Sequence, residues 1–303
     1  RRGMAFGSSR KSKTMKIILG GVRGSCPVAQ PEFMKYGGET SSFLIEGEAG
    51  ERILIDGGTG VRLLGRRLPK TPGISSAWLF MTHFHLDHVV GLSMLPVLHN
   101  PNWRLTMAAP DHHPIHIREM MARLLDVPLW PLQVEDLKSK IDFVQLDGIT
   151  ASTPYRCGSI EVRWCPVHHP GGCTAYRFDE PSTGASLVVA TDMEWGLSTP
   201  GEKGYLERLI SYPSPAGLLL MDGQYDDGQI AKYRGWGHSS WQECVALASR
   251  LRVRQLLITH HDPASDDVRL DVYQHAIRRA APWAGLAHAG MEITLPAETC
   301  AQQ

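Results

Sequence analysis

The sequence predicts an α/β sandwich, and three observations carry that prediction. Short apolar runs alternate with helically patterned stretches over the chain. The first runs are strand-like and parted by glycine-rich turns, and helices join later among further strands. The elements follow in order. Residues 16–19, 42–45 and 52–55 read as early strands, and 61–68 as a short helix. The apolar run 77–81 is a strand that ends at Thr82-His83. Residues 104–108 form a strand, and 115–125 a helix with Ile117, Met120, Met121 and Leu124 along one side. Strands are expected over 160–167, 174–178, 186–190 and 217–221. Over 239–251 a capping-box start, Ser239 with Gln242, precedes an apolar stripe at Cys244, Leu247, Ala248 and Leu251, which marks a helix. Residues 255–258 make a strand running out to His260, 267–281 a helix, and 291–295 a last strand.

A chain of 303 residues can bury enough surface to fold without a disulfide or a structural metal. Lys plus Arg equal Asp plus Glu at 31 each, which excludes the strongly basic balance of a protein that lives on nucleic acid. The charge is uneven, however. Residues 1–14 hold Arg1, Arg2, Arg10, Lys11 and Lys13 and no acid, leaving 26 bases against 31 acids in the remainder. That stretch reads as a disordered basic tail or a non-native remnant, and residues 15–303 as one folded domain. No run of about 18 apolar residues spans a membrane, and no apolar segment follows the basic start as in a signal peptide. The six cysteines show no CxxC spacing, which fits free thiols and a cytoplasmic location.

His83, His169, Asp192 and His260 each lie just past a predicted strand end, where α/β sheets build their sites. The densest signal is Thr82-His83-Phe84-His85-Leu86-Asp87-His88. Its imidazoles and carboxylate are the donor types that suit zinc, iron or manganese, and imidazoles packed so closely would repel one another if protonated. A bound cation accounts for them better than a polar surface loop does.

The pattern His83-x-His85-x-Asp87-His88 after an apolar strand resembles the signature of the metallo-β-lactamase superfamily. Further stretches resemble its other motifs: Leu54-Ile55-Asp56-Gly57-Gly58, Val167-His168-His169-Pro170-Gly171-Gly172, Ala190-Thr191-Asp192 and Thr259-His260-His261-Asp262. The resemblance runs from Met15 to Leu295 and implies a four-layer αββα sandwich with a two-metal site at one edge. It also implies that His83, His85 and His169 hold one divalent ion, Asp87, His88 and His260 a second, and that Asp192 bridges them. Asp56 would support the histidine loop from behind. His168 competes with His169 for its place, and His261 with His260. Zinc heads the metals, and manganese and iron accept the same ligand set. Such a pair of ions gives a bridging hydroxide near neutral pH, which Asp87 would orient or relieve of its proton.

Gly235-Trp236-Gly237-His238-Ser239-Ser240 resembles the Gly-His-Ser element of the ribonuclease Z-like phosphodiesterase branch, which implies that His238 contacts the scissile phosphate and protonates the leaving oxygen. Gly21-Val22-Arg23-Gly24-Ser25 resembles that branch's opening; Arg23 could reach a phosphate or equally make a structural ion pair. Trp236 or Tyr225 could stack on a base or simply pack.

In that branch the tRNA-gripping arm lies between the third histidine motif and the bridging aspartate. Here only 22 residues separate His169 from Asp192. The expected substrate is therefore a small phosphodiester, a cyclic nucleotide among them, with no long nucleic acid and no membrane as partner, and with a homodimer as the assembly. A glyoxalase-II-like thioester hydrolase shares the ligand set, and a non-catalytic metal-binding module is the reading from another class. Outside the constellation, Asp111-His112-His113-Pro114-Ile115-His116 reads as a helix start, and His99, His275 and His288 as surface or helix residues.

Overall fold

The computed structural model describes residues 14–68, 73, 75–111, 115–149 and 153–295. Residues 1–13, His112, His113, Pro114 and Cys300 lie outside them, and with them the tail reading and half of the Asp111–His116 motif. The strands are β1 (Met15–Gly21), β2 (Ser42–Glu46), β3 (Arg52–Ile55), β4 (Ser75–Phe80), β5 (Trp103–Pro110), β6 (Lys140–Leu146) and β7 (Tyr155–Cys157). They continue as β8 (Ile160–Val167), β9 (Cys173–Glu180), β10 (Ala185–Ala190), β11 (Leu218–Asp222), β12 (Gln255–Thr259), β13 (Ala284–Leu286) and β14 (Glu292–Leu295). The helices are α1 (Val61–Gly65), α2 (Leu86–Val89), α3 (Ile117–Leu124), α4 (Pro200–Ser211), α5 (Asp227–Ile230), α6 (Trp241–Arg250) and α7 (Asp267–Ala280).

Two seven-stranded sheets result, in the orders β14-β1-β2-β3-β4-β5-β6 and β13-β12-β11-β10-β9-β8-β7. Strand alternation sorts the side chains into layers. In β1 and β3, Ile17, Leu19, Ile53 and Ile55 join the core between the sheets, while Ile18 and Leu54 face the outer core with Val61 and Leu64 of α1. In β10 and β11, Leu187, Val189, Leu218 and Leu220 point inward, and Val188, Leu219 and Met221 pack outward with Leu206 of α4, Leu247 of α6 and Ile277 of α7. Both faces of these strands are buried, which is why they read as unbroken apolar runs. Each such side chain contributes about 1.5–3 kcal/mol by leaving water. The order of layers is αββα, as the family resemblance implies.

Several boundaries differ from expectation. The first helix ends at Gly65 rather than Leu68. The capping box of α6 is Ser240 with Glu243, one residue later than predicted, because the Ser239 hydroxyl donates to Met193 O at 2.6 Å instead. Four elements carried weak signals. β6 is an edge strand with polar alternation, β7 and β13 are three residues long, and Gly201 and Gly204 dilute the pattern of α4, although Thr199 and Glu202 form a full capping box before it.

The direction of the strands decides where the chemistry goes. β3, β4, β5 and β6 run parallel, as do β10, β11, β12 and β13. β8 and β1 each reach that direction through one antiparallel neighbour on the way to β10 and β3. The C-terminal ends of β1, β3 and β4 therefore share one edge of their sheet, and those of β8, β10, β11 and β12 share one edge of theirs.

Candidate metal centre

Arg23 follows β1, Asp56 follows β3, His83 follows β4, His169 follows β8, Asp192 follows β10, Asp222 ends β11, and His260 follows β12. Asp56, Asp192 and His260 have left-handed backbone at φ 57°, 52° and 62°. Asp and His tolerate this region better than most residues, yet each instance costs of order 1 kcal/mol. The turn swings each side chain back over the sheet edge instead of letting the strand run on.

The structure brings all seven predicted ligands together. His83, His85 and His169 form one group and Asp87, His88, Asp192 and His260 another, each with its donor atoms within 4.8 Å of one another. His169 Nε2 lies 3.0 Å from His85 Nδ1. Asp192 reaches both groups: its oxygens lie 3.0 Å from His88 Nε2, 3.1 Å from His260 Nε2, 3.8 Å from His83 Nε2 and 4.0 Å from His169 Nε2. All are buried except His85, which is exposed and marks the open side.

Hydrogen bonds decide which ring nitrogen each histidine presents. His88 Nδ1 donates to Asp56 Oδ2 at 2.8 Å, His169 Nδ1 to Gly237 O at 2.9 Å, and His260 Nδ1 to Gln224 Oε1 at 3.0 Å. The Thr82 hydroxyl donates to Asp56 Oδ2 at 2.7 Å, so its oxygen accepts from His83 Nδ1 at 3.1 Å. In all four rings the neutral form therefore presents the Nε2 lone pair to the cluster. His83 Nε2 and Asp192 Oδ2 are buried without a hydrogen-bond partner. Acceptors facing acceptors at 3–4 Å repel unless a cation stands between them, and N and O donors of this kind fit a divalent ion. The donor set fits the group the resemblance implies.

Among protein charges alone, protons take up that role. Burial lowers the pKa of His260, but the Asp192 carboxylate and then Asp87 raise it to about 10. His88 is likewise pushed down by burial and carried well above the usual range by Asp192 and Asp87. Burial holds His169 at about 4 against the pull of Asp192. An incoming cation must displace the protons of His88 and His260, so its binding releases acid.

The two open alternatives separate in space. His168 is part-exposed and stands 3.4 Å from Glu202, away from the cluster, and His261 Nε2 donates to Ala287 O at 2.8 Å. The phosphate role weighed for Arg23 has no geometric support. Arg23 is fully buried, and its guanidinium donates to the carbonyls of Gly37, Asp262 and Ser265 at 3.2, 3.0 and 2.8 Å. Charge density that a buried guanidinium spends on backbone carbonyls is not offered to a ligand. It ties the loop after β12 to the loop after β1, where Ser25 N donates to Asp87 Oδ2 at 2.8 Å.

His238 stands beside the cluster. Its Nδ1 donates to Asp222 Oδ2 at 2.7 Å, its ring stacks on His260 at 4.9 Å, and it shares a ligand-distance group with His169 and Asp192. Besides Asp222, two supporting residues escape sequence reading. Gln224 orients His260, and Glu194, 1% exposed, accepts from Gly235 N and Gly237 N and so fixes the peptide before His238. A lone Gln or Glu carries no spacing signal; only the fold reveals its partners.

The family described as Beta-lactamase superfamily domain matches residues 51–261. A ribonuclease Z from Clostridium tetani is 25% identical over 262 residues, which cover 72% of this chain and 81% of that protein. Two solved structures share the fold. Human tRNase Z, short form, superposes with a TM-score of 0.64 at 20% identity, covering 93% of this chain and 99% of the other. A diphosphatase of the PhnP family superposes at 0.63 with 17% identity, over 92% and 97%. Among the described residues no helix is long and apolar enough to cross a membrane.

Proposed function

The chain belongs to the β-lactamase superfamily, and on that premise we propose that it is a dinuclear metal-dependent phosphodiesterase acting on a small phosphodiester, with cyclic nucleotides in that class. The observation that carries the reading is His238, held by a buried carboxylate beside the ligand cluster. A thioester hydrolase needs no acid at that place, whereas an alkoxide leaving a phosphodiester does. The ribonuclease Z relatives and the PhnP-family diphosphatase agree with phosphorus chemistry.

In this reading His83, His85 and His169 hold one divalent ion, Asp87, His88 and His260 the other, and Asp192 both; zinc is the first candidate, with manganese and iron as alternatives. Ions there would bring the pKa of a water toward neutrality and offset charge growing on the phosphoryl oxygens. Asp87, oriented by Ser25 N–H, takes up or directs the proton of the attacking water. His238, with Nδ1–H committed to Asp222, keeps Nε2 for the proton given to the leaving oxygen.

The short connection supports a small substrate. The 22 residues between His169 and Asp192 are occupied chiefly by β9 and β10, joined by the turn 181–184. A cytoplasmic location is supported by cysteines that are all free among the described residues. A homodimer belongs to the same proposal, and the mass in solution would test it. One panel on metal-loaded protein tests the function. It sets bis(p-nitrophenyl) phosphate and cyclic nucleotides against a tRNA precursor, lactoylglutathione and a chromogenic cephalosporin. Turnover of the thioester alone rejects the class, and cleavage of RNA without the small diesters rejects the size.

A further inference from the structure

Trp236 is 61% exposed and lies two residues before His238. Scattered exposed apolar side chains need no explanation, but this one is fixed by contacts on both sides. Gly235 and Gly237 on either side have φ of 88° and 90°, and both of their N–H groups donate to the buried Glu194 carboxylate, at about 3 Å. Trp236 N donates to Tyr233 O at 3.1 Å. The indole meets the Tyr233 ring edge-on at 5.3 Å, Tyr233 stacks flat on Tyr225 at 4.3 Å and 6°, and Tyr225 meets His238 at 6.1 Å. A continuous file of rings thus leads from the ligand cluster to an aromatic face in solvent. Lys232 and Arg234 are exposed beside it.

We propose that Trp236 is a stacking platform for a nucleobase carried by the phosphodiester, which makes the substrate a nucleotide. The inference rests on the phosphodiesterase reading above and names its substrate class. A rigid indole presents a large flat face with little ordering to lose, and any base has a π-face to lay on it.

The test compares wild type with Trp236→Ala and Trp236→Phe, both changes at an exposed side chain. Thymidine 5′-(p-nitrophenyl phosphate) and methyl p-nitrophenyl phosphate share a leaving group and differ in the nucleoside. Trp236→Ala should lower kcat/KM for the nucleoside ester by about tenfold or more, mainly through KM, with Phe restoring part of it and the methyl ester unaffected. An equal effect on both esters, or on neither, overturns the platform. Titration calorimetry with AMP and with inorganic phosphate is the second readout. Wild type should bind AMP about tenfold more tightly than Trp236→Ala, with phosphate unchanged. If wild type hydrolyses neither ester, the phosphodiesterase reading fails, and the AMP comparison then decides the platform alone: a difference sustains it, and its absence overturns it.

Discussion

His238 Nδ1 lies 2.7 Å from Asp222 Oδ2, and the carboxylate is wholly buried. A histidine so oriented cannot flip its ring without leaving Asp222 Oδ2 only the longer hydrogen bond from Met193 N at 3.3 Å. His238→Ala should lower kcat by about 10²-fold or more for substrates with a poor leaving group. Asp222→Asn should reproduce much of the loss, and both variants should be nearly silent with a p-nitrophenolate leaving group. A change confined to KM would make His238 a binding residue.

Asp192 faces four imidazoles at 3.0–4.0 Å. Asp192→Ala and His85→Ala should each abolish turnover and lower the metal bound per chain, while far-UV circular dichroism stays as in wild type. Full activity in either variant removes the ligand assignment.

The same cluster links metal to stability. A divalent ion at a hundred times its Kd should stabilise the fold by about 2.7 kcal/mol. Chelation should therefore lower Tm by several degrees, and zinc should restore it. A Tm indifferent to both would leave the buried acceptors without a cation.

Gly237 packs against the ring it orients. A Cβ there would come 2.1 Å from His169 Nδ1, and the backbone φ is 90°. Gly237→Ala should displace His169 and lower metal affinity, while Gly235→Ala, whose Cβ meets nothing, should keep the metal. Equal affinities in the two variants would show that the Gly237 contact does not position the ligand.

Arg23 is predicted to act on stability. Arg23→Ala strips three carbonyls of a charged donor in the interior, which should cost about 3 kcal/mol or more in unfolding free energy. A variant with wild-type Tm and a raised KM would return Arg23 to the substrate.

The residues themselves state much of this. Unbroken apolar runs such as Ile17-Ile18-Leu19 define strands buried on both faces, and His83-Phe84-His85-Leu86-Asp87-His88 holds four of the seven gathered side chains within six positions. These features are local, so spacing alone exposes them. β7 and β13 were not legible, because three residues carry no periodicity.

Sequence by itself determined the sandwich, its strand ends and the kinds of donor placed there, since these follow from short-range pattern and residue chemistry. Only the tertiary structure separated His169 from His168 and His260 from His261, buried Arg23, and gave His260 and the loop of His238 their partners in Gln224 and Glu194. Those outcomes depend on which residues meet across dozens of positions, and on left-handed turns at Asp56, Asp192 and His260 that only the packed chain can hold.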